Sequence, residues 1–389
     1  MIDYREWMGI LSVPRPNGSA AERATARALK EWLNRRGIPY HIHAFRLYPY
    51  FFECVGLWLI LSRSLLAAAV WARWGWPTLP IALIGLLGGT LDVALHWPLV
   101  TWPGARRGEN ILIEFEPPGA RREIILSAHY DSKTELLDHR QRAYLFRHMN
   151  LGILLTLLLG CWGPLDAWLV NDAIHWIGVL LTIPLLLLAW GMGLHLSLGR
   201  TLKPSQGAVD NGAACAILLG LAEKLSQRES LPPETKITLA LFTGEEVNMQ
   251  GSRAYVESRA WPLPASALNL EIMAQNGGYI YWEKDGDAFR SLATASSLNQ
   301  TYSAAVEKVT GAPAQPAGLV NSDGGSFLFA GIPAASAGTL DTRLGETGLH
   351  RPTDNLERVV MERLPQGVEI LQAFLQISAD PPSRGCYEN

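Results

Sequence analysis

Residues 236–259 read KITLALFTGEEVNMQGSRAYVESR, an apolar run, an acidic loop and a mixed helical pattern in immediate succession. Lys236–Phe242 is rich in branched side chains and short, which predicts a strand covered on both faces. Arg253–Arg259 predicts a helix after it. Glu245 and Glu246 stand between the two, beyond the carboxyl end of the strand, where open α/β sheets place their chemistry. Adjacent carboxylates at such a point are costly unless a cation lies near. On this segment alone a solvated loop pair explains them equally well.

Working outward, the same strand pattern recurs at Tyr40–Leu47, Asn110–Phe115, Glu123–Ala128 and Ala267–Ile272. Helical patterns lie at Asn17–Arg36, with Ser19 as N-cap and Gly37 as terminator, and at Asn211–Ser226. Strands alternating with helices predict an α/β fold, a mixed and mostly parallel twisted sheet sandwiched by helices. Ala274–Glu283 and Pro313–Ser326 read as irregular, loop-like walls of a pocket.

Apolar stretches interrupt this pattern at Tyr50–Trp74, Pro77–Trp102, Leu151–Val170 and Ile174–Leu198. The last is long enough to cross about 30 Å of hydrocarbon as a helix. Arg63 interrupts the first, while Asp92 and His96 dilute the second. Four inserted transmembrane helices in two hairpins are expected; helices buried in a large soluble core are the alternative. The expected organisation is a catalytic domain at residues 1–48, 104–148 and 200–389, with membrane hairpins at 49–103 and 149–199. Arg46, Arg106, Arg107, Arg140, Arg142, Arg147, Arg200 and Lys203 flank the hairpin ends, while the opposite turns hold little beyond Arg73 and residues 163–172 hold no Lys or Arg. Positive residues stay on the cytoplasmic side, so the expected location is an integral membrane protein with its catalytic domain in the cytoplasm.

Of 389 residues, 48% are hydrophobic and 18% charged, which is apolar for a soluble enzyme and fits contact with membrane lipid. The net charge of -3 gives no basic excess for nucleic acid. Cys54, Cys161, Cys215 and Cys386 form no CxxC, so neither a disulfide framework nor a thiolate metal site is indicated. Oligomeric state is not readable.

Other metal-seeking side chains are spread along the chain at apparent element ends. In SAHYDS, His129 follows an apolar run and Asp131 can hold its second ring nitrogen. In GAVDNGA, Asp210 precedes a helix; an N-cap is the plainer reading there, a carboxylate bridging two ions the functional one. Glu271, in ALNLEIM, sits within an apolar strand and needs a partner or a raised pKa. GLHRPTDN offers His350, with Asp354 available to orient it. Together these groups suit a two-metal hydrolase, with Glu245 as the general base beside Glu246.

The runs HYDS, GAVDNGA, TGEEVNMQGS, LNLEI, NSDGGSFLFAGIPA and HRPTDN resemble the M28 family of zinc aminopeptidases, outside the apolar insertions. The resemblance implies a zinc aminopeptidase-like fold and two Zn2+ ions per chain. His129 and Glu271 would bind one ion and Glu246 and His350 the other, with Asp210 bridging both. It assigns Glu245 as base and Asp131 as the orienting carboxylate, and places Asn211, Asp354, Ser322 and Asp323 in support. It also implies a cis peptide at Asp210–Asn211, and no organic cofactor. Three departures stand out. Glu271 replaces a more usual Asp, Gly324 replaces the His of an S-D-H run, and 81 positions with two apolar stretches separate His129 from Asp210.

The expected activity is hydrolysis of N-terminal peptide bonds in a peptide substrate. A carboxypeptidase or a glutaminyl-cyclase-like acyl transferase is the alternative, since relatives do both; the cyclases use a single zinc and lack the first His, so His129 favours two metals. A non-catalytic membrane scaffold with a relic peptidase domain is a further one.

Overall fold

The computed structural model describes residues 2–227, 232–287, 289–341, 343 and 347–379, without the side chains of residues 139 and 140. Cys386 lies outside the described residues. Along the chain the elements are α1 (Tyr4–Leu11), α2 (Ala20–Arg35), β1 (His41–Leu47), α3 (Phe51–Trp71), α4 (Thr78–Ala94), β2 (Arg106–Phe115) and β3 (Arg122–His129). There follow α5 (His139–Arg147), α6 (Met149–Leu169), α7 (Asp172–Ser197), α8 (Ala213–Ser226), β4 (Thr235–Phe242), α9 (Gln250–Ser258), β5 (Ala265–Glu271) and β6 (Gly277–Gly286). The C-terminal part adds β7 (Ser291–Ala293), α10 (Ser296–Thr310), β8 (Gln315–Val320), α11 (Asp323–Phe329), β9 (Ala334–Asp341) and α12 (Arg363–Ala379). The chain divides into two compact units: residues 1–47, 106–133 and 205–389 form the first, and 48–105 and 134–204 the second.

The first unit is built on a nine-stranded sheet in the order β1-β2-β4-β3-β5-β9-β6-β7, with β8 pairing beside β6. The sheet is mixed. Its centre, β4-β3-β5-β9, is parallel, and antiparallel pairs flank it on both sides. Strand periodicity divides the core in two. Ile124, Leu126, Ala128, Ile237, Leu239 and Leu241 face the helices α1, α2, α8, α10 and α12. Ile125, Ala240, Phe242 and Ala267 face α9 and α11 instead. Every residue of β4 is buried, Lys236 and its two threonines included, as in a strand covered on both sides.

α2 starts where Ser19 accepts the Glu22 amide, as the N-cap pattern predicts. Two expectations about irregular chain do not hold. Gly277–Gly286 and Gln315–Val320 are parallel partner strands, β6 and β8, rather than loop-like walls. Their glycines and prolines masked the alternation that marks a strand.

The second unit is helical. Three helical runs, Phe51–Trp71, Gln141–Leu169 and Asp172–Ser197, are long and apolar enough to cross a membrane. The expected fourth is not: the second apolar stretch yields only the 17-residue α4. Asp92, near its end, is buried and accepts the amides of Leu99, Val100 and Thr101, turning the chain before a full span is reached. Arg63 does not interrupt α3; its guanidinium is buried and donates to the Gly85 carbonyl and the Ser62 hydroxyl. Close approach of α3 and α7 depends on Gly56 and Gly193, where a Cβ at either would meet the other's carbonyl oxygen at 2.6–2.7 Å. Leu57, Leu61, Ile84, Leu154, Leu180 and Leu187 are each more than half exposed.

Candidate metal centre

The parallel centre of the sheet ends its strands on one side, and the chain puts its donors there. His129 is the last residue of β3 and Glu271 the last of β5. Glu245 and Glu246 follow β4 after Thr243 and Gly244, the latter in the left-handed region at φ +82°. Asp210 precedes a helix as expected: it sits in the kinked turn at Ala208–Gly212 that opens into α8, and its peptide to Asn211 is cis. His350 comes from the turn between β9 and α12 and has φ +56°. Ile272, Asn248 and Met249, beside the other donors, are also in the left-handed region. Such backbone is uncommon for side chains of these types and clusters where geometry serves a site.

The distances close the group. His129 Nε2 lies 3.2 Å from Asp210 Oδ1 and 3.4 Å from Glu271 Oε2. His350 Nε2 lies 3.1 Å from both Asp210 Oδ2 and Glu246 Oε2. Three sets of three donors result, each spanning no more than 4.8 Å: His129–Asp210–Glu271 and Asp210–Glu246–His350, to each of which Asp210 offers one oxygen, and His129–Glu245–Glu246. Glu245 lies outside the two sets that share Asp210 and belongs only to the third. Its Oε2 stands 3.7 Å from His129 Nε2, and its side chain is the most exposed of the six.

The surroundings hold these groups. Asp131 Oδ1 faces His129 Nδ1 at 3.5 Å, while its Oδ2 accepts Asn17 Nδ2 at 2.7 Å and the Glu246 amide at 3.1 Å. Asp354 accepts the amides of Val209 and Asp210, so it grips the Asp210 turn. Asn211 Nδ2 donates to the Leu270 carbonyl and to Glu271 Oε2. Ser322 caps α11, and Asp323, the next residue, is buried with neither carboxylate oxygen hydrogen-bonded. Arg15 is fully buried and donates to carbonyls of Tyr130, Gln206 and Gly207, tying the N-terminal segment to the His129 and Asp210 loops.

Sequence reading missed Arg15, Asn17 and Asn269. Only Asn269 carried a usable sign, since it lies two residues before Glu271 and shares its side of the strand. The Gly324 departure has a packing cause. A Cβ there would lie 2.3 Å from Ser336 Oγ and 2.5 Å from Asp285 Oδ2, so no larger residue fits.

The charge balance is the main electrostatic fact. Asp131, Asp210, Glu245, Glu246, Glu271 and Asp323 are gathered against two imidazoles and Arg15. Burial pushes the Glu245 carboxyl well above the usual range, with Glu246 and Glu271 adding to the effect against His129. Burial also raises Glu271 and takes Asp323 up to about 8. Asp210 goes the other way: despite burial, His129 and His350 hold it well below an ordinary Asp. So many desolvated carboxylates want a cation that the protein itself does not supply. Both ring nitrogens of His129 and one oxygen of Glu246 are buried without a hydrogen bond. Imidazole nitrogen and carboxylate oxygen in threes are zinc donors, so the residues present fit that metal.

Comparison with known proteins agrees with this chemistry. Residues 193–374 match the model of Peptidase family M28. That stretch holds Asp210, Glu245, Glu246, Glu271 and His350; His129 and Asp131 lie before it, and the fold brings them in. Aminopeptidase YwaD of Bacillus subtilis (strain 168) is 28% identical over 174 residues, 43% of this chain and 37% of that protein. The match thus spans well under half of that relative's length. Among solved structures, a glutaminyl cyclase of Porphyromonas gingivalis gives a TM-score of 0.55 at 13% identity, covering 96% of this chain and 94% of that one. A Zn-dependent exopeptidase from Parabacteroides distasonis gives 0.54 at 14% identity, covering 95% of each. These two likenesses establish the fold, a mixed sheet with helices on both faces.

Proposed function

We propose, on the premise that the chain carries a peptidase family M28 domain, that it is a membrane-anchored aminopeptidase working through two zinc ions. The observation that carries this reading is the pair of three-donor sets sharing Asp210; Glu245, which joins only the third set, is left as the base beside them. His129 and Glu271 would hold one ion, Glu246 and His350 the other, and Asp210 both. Zinc bound there would supply Lewis acidity toward the substrate carbonyl and acidify the attacking water.

The protein's own side chains do the rest. Glu245 takes one proton from the water as its oxygen bonds to the carbonyl carbon. It then gives that proton to the departing nitrogen as the carbon–nitrogen bond breaks. Asp131 keeps the His129 ring in one orientation, and Asp354 keeps the Asp210 turn in place. The substrate is a peptide with a free N-terminus.

The apolar exposure of the second unit supports insertion of its three long helices in a bilayer. The basic residues flanking its connections support a cytoplasmic first unit. A glutaminyl-cyclase-like reaction is disfavoured by the completeness of both donor sets, His129 included.

The deciding experiment is a detergent-solubilised, metal-analysed preparation offered three substrate classes: fluorogenic aminoacyl amides, N-blocked peptides and peptides with N-terminal glutamine. Turnover of the first class alone, with two zinc ions per chain, is the expected result. Cyclisation of the third class with one zinc, or cleavage only of blocked peptides from the C-terminus, would replace it.

A further inference from the structure

We propose that Asn269 is a positioning residue for Glu271, and that a buried polar chain ending at Asp285 fixes the direction of its amide. The inference rests on the paired-zinc reading above, and concerns how one of the two donor sets is aimed.

Asn269 is fully buried on β5, and its side chain has three partners. Nδ2 donates to Glu271 Oε1 at 2.9 Å and to Ser322 Oγ at 3.0 Å. Oδ1 accepts the hydroxyl of Ser127, 2.7 Å away on β3, the residue opposite Asn269 in the strand register. Ser322 is committed in turn, because its hydroxyl donates to Asp285 Oδ2. Asp285, also fully buried, takes the Ser336 hydroxyl on the same oxygen and the amides of Ser322 and Gly286 on the other.

The direction of this chain follows from donor arithmetic. Burial takes the Asp285 carboxyl up to about 7, but four donors converge on its two oxygens and favour the ionised form, which only accepts. The Ser322 proton is therefore spent on Asp285, and its remaining lone pairs can only receive from Asn269. That turns the NH2 of Asn269 toward Ser322 and Glu271, and its oxygen toward Ser127. With the amide so fixed, Glu271 Oε1 is held back by Asn269. Oε2, which receives Asn211 at 3.1 Å, is the oxygen that faces His129 Nε2. Glu271 thus presents one oxygen to the site. Its extra methylene relative to Asp is taken up by a tether, and Gly324 leaves the room that Asp285 and Ser336 occupy at the far end.

The test uses the full-length protein in detergent, stripped and titrated with Zn2+ against a chromophoric chelator. Asn269→Asp keeps the shape and removes the donor; Asn269→Ala removes the side chain. Each is expected to weaken one zinc site by about 10–100-fold and leave the other within about twofold. Asn299→Ala on α10, which breaks a buried hydrogen bond to Thr294, is the control. It is expected to lower the unfolding temperature of the zinc-free protein without moving either zinc affinity. Ser127→Ala is the milder variant should the Asn269 substitutions not fold, with a smaller loss confined to one site. Unchanged zinc binding in folded Asn269→Asp, or equal weakening of both sites, overturns the proposal. The wild-type titration is read separately. One zinc per chain there removes the paired-zinc reading, and an Asn269 effect on that single affinity then still decides the positioning role.

Discussion

Glu245→Gln separates the base from the metal donors, and the structure sets its expected size. Gln has the same shape, and Glu245 lies outside both donor sets that share Asp210. The loop around it is held by backbone: the Glu245 carbonyl accepts the Met249 amide at 2.8 Å, independently of the side chain. Removing a carboxylate whose neighbours Glu246 and Glu271 oppose its charge relieves repulsion, so the zinc-free protein should be no less stable. What is lost is proton transfer to and from the reacting groups. A positioned acid–base group contributes about 10²–10⁴ in rate, or roughly 3–5 kcal/mol of barrier. The assay is kcat on an aminoacyl amide, zinc per chain by elemental analysis and unfolding temperature, on matched preparations. The expected outcome is a kcat lower by two to four decades with zinc content and stability retained. A variant within tenfold of wild type, or one that loses zinc in step with activity, refutes the assignment of Glu245 as base rather than ligand.

Four further outcomes follow from the geometry. Asp210→Ala removes the one donor common to both sets, so zinc should fall to below one ion per chain and activity to background; retention of two ions by elemental analysis would contradict the shared-carboxylate geometry. Glu22, buried against Thr243, has its carboxyl pushed up by burial to about 7 from an ordinary 4.5. The folded state therefore holds that proton more tightly than the unfolded, so wild-type stability should fall relative to Glu22→Gln as pH rises from about 4.5 to 7, by up to about 3 kcal/mol, and level off above. Parallel stability curves for the two proteins across that window would remove Glu22 as the cause. In the second unit, Gly193→Leu places a side chain where a Cβ already lies 2.5 Å from Ile60 and 2.7 Å from the Gly56 carbonyl. Separation of α3 and α7 should destabilise that unit by about 1–3 kcal/mol, read as earlier thermal aggregation in detergent; an unchanged curve speaks against the close approach. Membranes washed with alkaline carbonate should retain the full chain, whereas release into the wash would argue against insertion of the three long helices.

How much of this was legible in the sequence depends on the kind of residue. β3 and β4 were readable because they lie at the sheet centre, buried on both faces, and so appear as mostly apolar runs leading to His129 and to Glu245–Glu246. β6 and β8 were not: they lie away from that centre, contain glycine or proline, and pair through contacts that no local pattern encodes. α4 was over-read because hydropathy counts Asp92 as one polar residue in an apolar stretch. The structure shows its carboxylate organising a turn that stops the helix. Asp354 was read as a partner for His350 from their closeness in sequence; its bonds to the amides of Val209 and Asp210, 144 or more positions away, had no local sign. Support of this sort is invisible to spacing. Asn269 is the exception, because strand periodicity alone puts it beside Glu271.

The most direct test of the account is a crystal of the zinc-loaded protein with anomalous data collected at the zinc absorption edge. Two peaks about 3.5–4 Å apart are expected, one bounded by His129 and Glu271, the other by Glu246 and His350, with Asp210 touching both. A single peak, or peaks away from these five side chains, would contradict it.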